Sequence, residues 1–211
     1  MTRRGVAIGV ALLVAAAGCL GGGAEENDPI EASAGAATVP DATVADAGYA
    51  DRGTTTQRFR TNVTVSIQGD IQIESTREVN ATLAVARYDR TTDAGTAVFA
   101  AASSPAVYLL EDTANVSRNP LATVDTAALV DRSQDAYDVS GLERTGATQR
   151  VTVLGNETDL TVYGGIADGG RVTVYVGTVR AGADFVSVVA VVPADADERE
   201  QVLTLAKALE H

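Results

Sequence analysis

The stretch from Arg58 to Val85 constrains this chain more than any other. Phe59, Thr61, Val63, Val65 and Ile67 alternate with Arg58, Arg60, Asn62, Thr64 and Ser66. Beyond Gly69-Asp70 the odd positions Ile71, Ile73, Val79, Leu83 and Val85 stay apolar, between Gln72, Glu74, Glu78, Asn80 and Thr82. A period of two belongs to a strand with one buried face. Both runs carry their apolar set on odd numbers, so odd must face odd and the loop must hold an odd number of residues. Gln68-Gly69-Asp70 meets that count, with Gly69 available for a left-handed turn position. Asn62 and Asn80, both even, then project away from the apolar side. A hairpin this long commits the chain to a large sheet and to a layer that covers it.

The flanking segments supply the rest. Pro40-Asp41, an Ala-rich run and Gly48 predict a two-turn helix with a glycine stop. Two short strands, 96–102 and 106–110, are expected on either side of a break at Ser103-Ser104-Pro105. Asp125 is placed to cap a helix over 126–137, with Leu129, Val130, Ser133 and Tyr137 on one stripe. Four strands follow, near 148–154, 158–166, 171–180 and 184–192, joined by turns at Gly155-Asn156, Asp168-Gly169-Gly170 and Ala181-Gly182-Ala183. Val186, Val188, Val189, Val191 and Val192 make the last strand apolar on both faces, which predicts a central, doubly covered position. Asp195-x-x-Glu198 resembles a capping box before a helix that buries Val202, Leu205, Ala206 and Leu209. The expectation is an α+β fold: a large, mostly antiparallel sheet of about eight strands packed by about three helices, in one domain over residues 39–211.

Residues 1–18 read as a targeting segment. Arg3 and Arg4 precede a short apolar run over 6–17, which falls below the roughly 20 residues of a membrane-spanning helix. It ends in Ala16-Ala17-Gly18-Cys19, which resembles a lipobox: cleavage between Gly18 and Cys19, with lipid on the Cys19 thiol. Cys19 is the single cysteine of the chain. Thr2-Arg3-Arg4-Gly5-Val6 resembles a twin-arginine export motif; general secretory export is the alternative. Residues 19–38 are expected to be the lipidated cysteine and a Gly-, Ala- and Glu-rich tether. A coil of that length reaches roughly 20–25 Å.

Composition narrows the environment. The chain has 28 acidic residues against 16 cations, a net charge of −12, and Lys207 is its only lysine. Loss of Arg3 and Arg4 on processing would take the charge to −14. Scattered acids with almost no lysine resemble proteins of extreme halophiles, in which carboxylates keep the surface hydrated and molar salt screens their repulsion. The same charge argues against nucleic-acid binding. One cysteine rules out an intrachain disulfide. His211, the only histidine, is the last residue, where fraying is expected. A Ser-His-Asp triad or a histidine-rich zinc site is therefore disfavoured. Four Asn-x-Ser/Thr sequons, at Asn62, Asn80, Asn115 and Asn156, exceed the chance expectation of about one and mark candidate glycosylation sites.

Other groupings carry less. Asp131, Asp135 and Asp138 fall at i, i+4 and i+7 of the expected helix. A hard cation is one use for them, and a solvated acidic face is the simpler one. Asp195, Asp197, Glu198 and Glu200 complement the dipole of the last helix. Ser103 and Ser104 read as a strand break, because no Gly-x-Ser-x-Gly surrounds them. Gly164-Gly165 and Gly169-Gly170 lack the Gly-Lys-Ser/Thr of a phosphate loop and read as turn glycines. Arg58, Arg60, Arg77, Arg87 and Arg90 bias the hairpin positive. Cross-strand pairing with Glu74 and Glu78 accounts for that bias, and docking of an acidic partner or lipid headgroups is the alternative.

Taken in order, the segments 39–49, 99–107, 125–137, 151–155 and 184–211 resemble a haloarchaeal family of lipobox-bearing surface lipoproteins of unknown function. Leu203-Thr204-Leu205-Ala206-Lys207-Ala208-Leu209-Glu210-His211 carries the family-like ending. The strand order also resembles PsbP-type binding modules, an analogy of fold alone. The resemblance implies a lipid-anchored protein on the outer face of the cell membrane, non-catalytic, with a binding or assembly role. The alternative is an extracellular small-molecule or metal-ion binding lipoprotein. Expected partners are the membrane, through the anchor, and other envelope proteins; no cofactor is expected.

Overall fold

The computed structural model describes residues 28–67, 73–109, 117–168 and 170–211. In chain order the elements are β1 (Ile30–Ser33), α1 (Asp41–Asp46), β2 (Ala50–Ile67), β3 (Ile73–Thr92), β4 (Gly95–Pro105), β5 (Val107–Tyr108) and β6 (Ser117–Arg118). A 3-10 turn (Pro120–Thr123) and α2 (Thr126–Ser133) follow, then β7 (Val139–Val153), β8 (Asn156–Ala167), β9 (Gly170–Ala181), β10 (Asp184–Pro193) and α3 (Arg199–Lys207). Eight strands make one mixed sheet in the order β2-β3-β4-β10-β9-β8-β7, with β1 beside β3 as its parallel member. The α+β architecture agrees with the sequence pattern.

The parity argument holds in the register. Phe59 pairs with Ala81, Thr61 with Val79 and Val63 with Arg77. The loop count differs by two, because Ile67 pairs with Ile73 and not with Ile71. The expected Gln68-Gly69-Asp70 loop lies outside the described residues. β10 sits mid-sheet between β4 and β9, as its double apolar pattern requires. Val188 and Ala190 pack on one face with Phe99, Val202 and Leu205, under α1 and α3. Val189 and Val191 pack on the other with Leu83, Leu121 and Val130, under the 3-10 turn and α2. Burying a valine or leucine side chain stabilises by about 1.5–3 kcal/mol. Two apolar layers on one sheet therefore outweigh any local propensity.

Several expectations are corrected. Ser103-Ser104-Pro105 does not break a strand: all three residues belong to β4, and the break falls after Pro105. The hydrogen bond from Ala37 N to Ser103 Oγ (3.2 Å) satisfies one of those buried hydroxyls. The folded part also reaches further toward the N-terminus than residue 39. Ile30–Ser33 pairs with Val79–Thr82, Ala37 is fully buried, and Thr38 exchanges backbone hydrogen bonds with Glu210. That β1 lay hidden in the sequence is understandable, since four residues are too few to show a period. α2 keeps its predicted cap, with Asp125 Oδ1 accepting from Ala128 N (2.8 Å), but it ends at Ser133. Tyr137 lies beyond it and closes onto β4, its hydroxyl bonded to both N and O of Thr96.

The β7–β8 turn is Leu154-Gly155, one residue earlier than expected, and both residues have positive φ (49° and 77°). That is the geometry of a two-residue hairpin turn whose twist matches the flanking strands. Gly177 on β9 answers a different demand. A Cβ there would stand 2.5 Å from Leu160 Cδ2, so the glycine makes room for a fully buried leucine of β8.

Candidate functional site

A buried carboxylate, Glu198, centres a network of charged and polar side chains. Burial of β3 and of the start of α3 brings Arg90 and Glu198 together across 108 positions of sequence, Nη1 to Oε1 at 3.4 Å. Tyr49 donates its hydroxyl to the other carboxylate oxygen, Oε2, at 3.1 Å. Arg90 also donates to the Ala47 carbonyl at the end of α1 (3.3 Å), beside Gly48, whose φ of +73° turns the chain into β2. Burial first, and then the adjacent Glu198 carboxylate, push the ionisation of Tyr49 far above the ordinary phenol range. The tyrosine is therefore a fixed donor and not an acid-base group. An open cleft of about 450 Å³ lies over this network, bordered by Asp46, Gly48, Arg90, Gln201 and Thr204. Glu198 precedes α3 with no side-chain cap bond. The expected capping box is corrected accordingly: Glu198 stands at the N-cap itself, with Arg90 and Tyr49 as its side-chain partners.

The C-terminus is the second surprise. His211 is not frayed: its Nε2 lies 3.0 Å from Oδ2 of the buried Asp184, which also accepts from Gly35 N (2.8 Å). Together with the Thr38–Glu210 bridge this forms a clasp that ties the segment before α1 and the chain end to β10. Ser103 lies one register step along the same face as Asp184, with Val186 as its partner. The hydrogen bond found for Ser103 comes from a backbone amide, not from the histidine. The arrangement is a clasp and has no nucleophile–base contact.

A cleft of about 370 Å³ on the opposite face is lined by Leu121, Val124, Leu129, Thr178, Phe185 and Ser187 among others. Thr178 and Ser187 share a hydrogen bond between their hydroxyls (2.9 Å). Arg180 stands at the rim. Its guanidinium lies over Phe185 (5.7 Å) and Tyr108 (6.0 Å) and donates to Tyr108 Oη (2.7 Å), to Ser117 Oγ and to the Gly182 carbonyl. Apolar walls with a few placed polar groups are what small-ligand pockets share. Sequence reasoning missed Arg180, because the residues that hold it come from four separate segments.

The remaining candidates scatter. Arg3, Arg4, Gly18, Cys19 and Asn115 lie outside the described residues. Asn62 is exposed on β2. Asn80 lies in β3 between β1 and β2; its Nδ2 donates to Glu31 Oε1 (2.6 Å), and its Oδ1 accepts from Arg60 Nε (3.0 Å). Asn156 donates from Nδ2 to the carbonyls of Leu154 (3.1 Å) and Arg180 (3.2 Å). Of the hairpin arginines, Arg60 pairs across the strands with Glu78 (3.5 Å) as expected. Arg77 instead holds the Asp28 carbonyl, Arg87 reaches α2 and Asp135, and Arg90 turns inward. Asp135 and Asp138 are off the helix, so the three aspartates share no helical face. Gly164 and Gly165 lie inside β8 and not in a turn. Among the described residues no group of three or more His, Cys, Asp or Glu side chains gathers for a metal ion, and no helix is long and apolar enough to cross a membrane.

Fold and surface together define an α+β domain whose mixed sheet is covered on both faces and whose clefts are open and mostly polar. Residues 36–210 match the family described as Domain of unknown function (DUF6517), and the chain belongs to that family. No curated protein and no solved structure matches it.

Proposed function

We propose that this chain is an exported lipoprotein of a halophilic archaeon, anchored through Cys19 to the outer face of the cell membrane, and that its folded domain serves a non-catalytic binding or assembly role. The observation that carries this is the single cysteine placed directly after a short apolar run and Ala16-Ala17-Gly18. The geometry of the domain is in keeping with it. The described fold begins at Asp28, and the eight residues between Cys19 and Asp28 can reach at most about 30 Å. Those eight residues are fewer than the segment 19–38 expected to form the tether. Ser103 and Ser104 are buried in a strand, and the only histidine is bound into the terminal clasp.

A specific observation favours binding of a small molecule over assembly with a protein partner. Arg58 and Arg60 border a mostly polar surface, and Ile166 is the one large exposed hydrophobic residue among those described. That is little apolar surface for a permanent protein partner. The cleft beneath Arg180, by contrast, offers apolar walls to a small molecule. Purification from envelopes in molar salt, followed by intact-mass analysis, tests the anchoring. The expected mass lacks Met1–Gly18 and carries lipid; a mass that retains those residues sinks the proposal. A small-molecule screen by thermal shift, repeated on Phe185→Ala, separates ligand binding from assembly.

A further inference from the structure

We propose that, of the three described sequons, Asn62 is the one that carries an N-linked glycan, and that Asn80 and Asn156 stay bare because their amides are committed to the fold. The inference rests on the export reading above, since glycan transfer needs exposure to a glycosylating compartment. Transfer requires a side-chain nitrogen free to leave its surroundings and meet an enzyme. Asn62 satisfies this. It is exposed on β2, it belongs to neither apolar layer, and its amide makes no hydrogen bond among the described residues. β2 pairs only with β3, so its other edge is open to approach among the described residues. Thr64, which completes the sequon, is exposed and shares a hydroxyl hydrogen bond with Thr76 (2.8 Å).

The other two amides are held. Asn80 is half-buried, flanked by strands on both sides, with its nitrogen 2.6 Å from a carboxylate. Hydrogen bonds to ionised groups are the strong ones, and this one ties β3 to β1. Asn156 uses its nitrogen for two carbonyls at a tight turn. A glycosylated amide keeps one N–H, so one of those carbonyls would lose its donor.

The transfer balances with a sugar donor on a polyisoprenoid phosphate. Nδ2 of Asn62 bonds to C1 of the first sugar. The C1–O bond to phosphate breaks, the phosphate oxygen leaves with the electron pair, and one amide proton passes to the base of the transferase.

The full chain is purified from an exporting, glycosylating cell, and peptides covering the N-terminus, Asn62, Asn80 and Asn156 are weighed. Sugar is expected on the Asn62 peptide, lost completely in Asn62→Gln and Thr64→Val, and retained in Thr64→Ser. Sugar on Asn80 or Asn156 overturns the inference. Lipid on Cys19 with a bare Asn62 overturns it too, while leaving the anchoring intact. Sugar on Asn62 with an uncleaved N-terminus supports it and removes the anchoring. Neither mark overturns both.

Discussion

Glu198 sits at the start of a helix yet does not behave as a surface acid. It faces inward, 4% exposed, and its two oxygens are taken by Arg90 and Tyr49. Removing one partner of a buried pair leaves an uncompensated charge. Arg90→Met is therefore expected to lower the unfolding free energy by about 3 kcal/mol, the low end of that class because Arg90 is itself a third exposed. Arg150→Met, which removes an exposed pair with Asp159, is expected to cost under about 1 kcal/mol. Denaturant titration in constant molar salt compares the two. Tyr49 adds a pH dependence. Its hydroxyl ionises later in the folded chain than in the unfolded one, so the unfolded state binds fewer protons above pH about 10. Its stabilisation is complete below that pH and declines as pH rises further, by up to about 1.4 kcal/mol per unit. Tyr49→Phe is expected to flatten that decline, read as the alkaline midpoint of unfolding. None of this was legible in sequence. Asp195-x-x-Glu198 matches a local capping pattern, whereas the real partners of Glu198 come from Tyr49 and from Arg90 on another strand.

At the scale of elements, what sequence revealed was periodicity. β2 and β3 alternate for long enough that parity alone set their facing residues. β10 announced its central place by being apolar on consecutive positions. What it concealed were features settled by distant partners. Ser103-Ser104-Pro105 looks like a turn, but β10 supplies a ladder partner for each residue, and Ala37 binds one of the hydroxyls. Gly177 looks like an interruption of β9, but it is the space into which Leu160 packs. Gly177→Ala is expected to destabilise by about 1–3 kcal/mol through overpacking. Leu160→Ala in the same background should relieve part of that cost, so the pair is expected to be non-additive in a double-mutant cycle.

At the scale of the whole molecule, the net charge makes a prediction about salt. A net charge of −12 is largely screened at molar salt, where the Debye length is about 3 Å, and is unscreened over about 10 Å near tenth-molar salt. Near-ultraviolet circular dichroism is expected to be lost on dialysis between those two conditions; an unchanged spectrum would remove the salt-adaptation reading. Sequence could assign the chain ends only to a leader, a tether and a frayed tail. The described part of that tether and the tail instead meet at Thr38 and Glu210 and at Asp184. The parallel strand β1 then acquires a mechanical meaning. It runs in the same direction as β3, with Asp28 leading away from its start. A pull on the N-terminus directed along β1 would load the β1–β3 hydrogen bonds together, in shear. Behind them, Gly35 on Asp184, Ala37 on Ser103 and Thr38 on Glu210 stand as successive stops. If the chain is anchored through Cys19 as proposed, this four-residue strand would be the first part of the described fold to yield to a pull from the membrane.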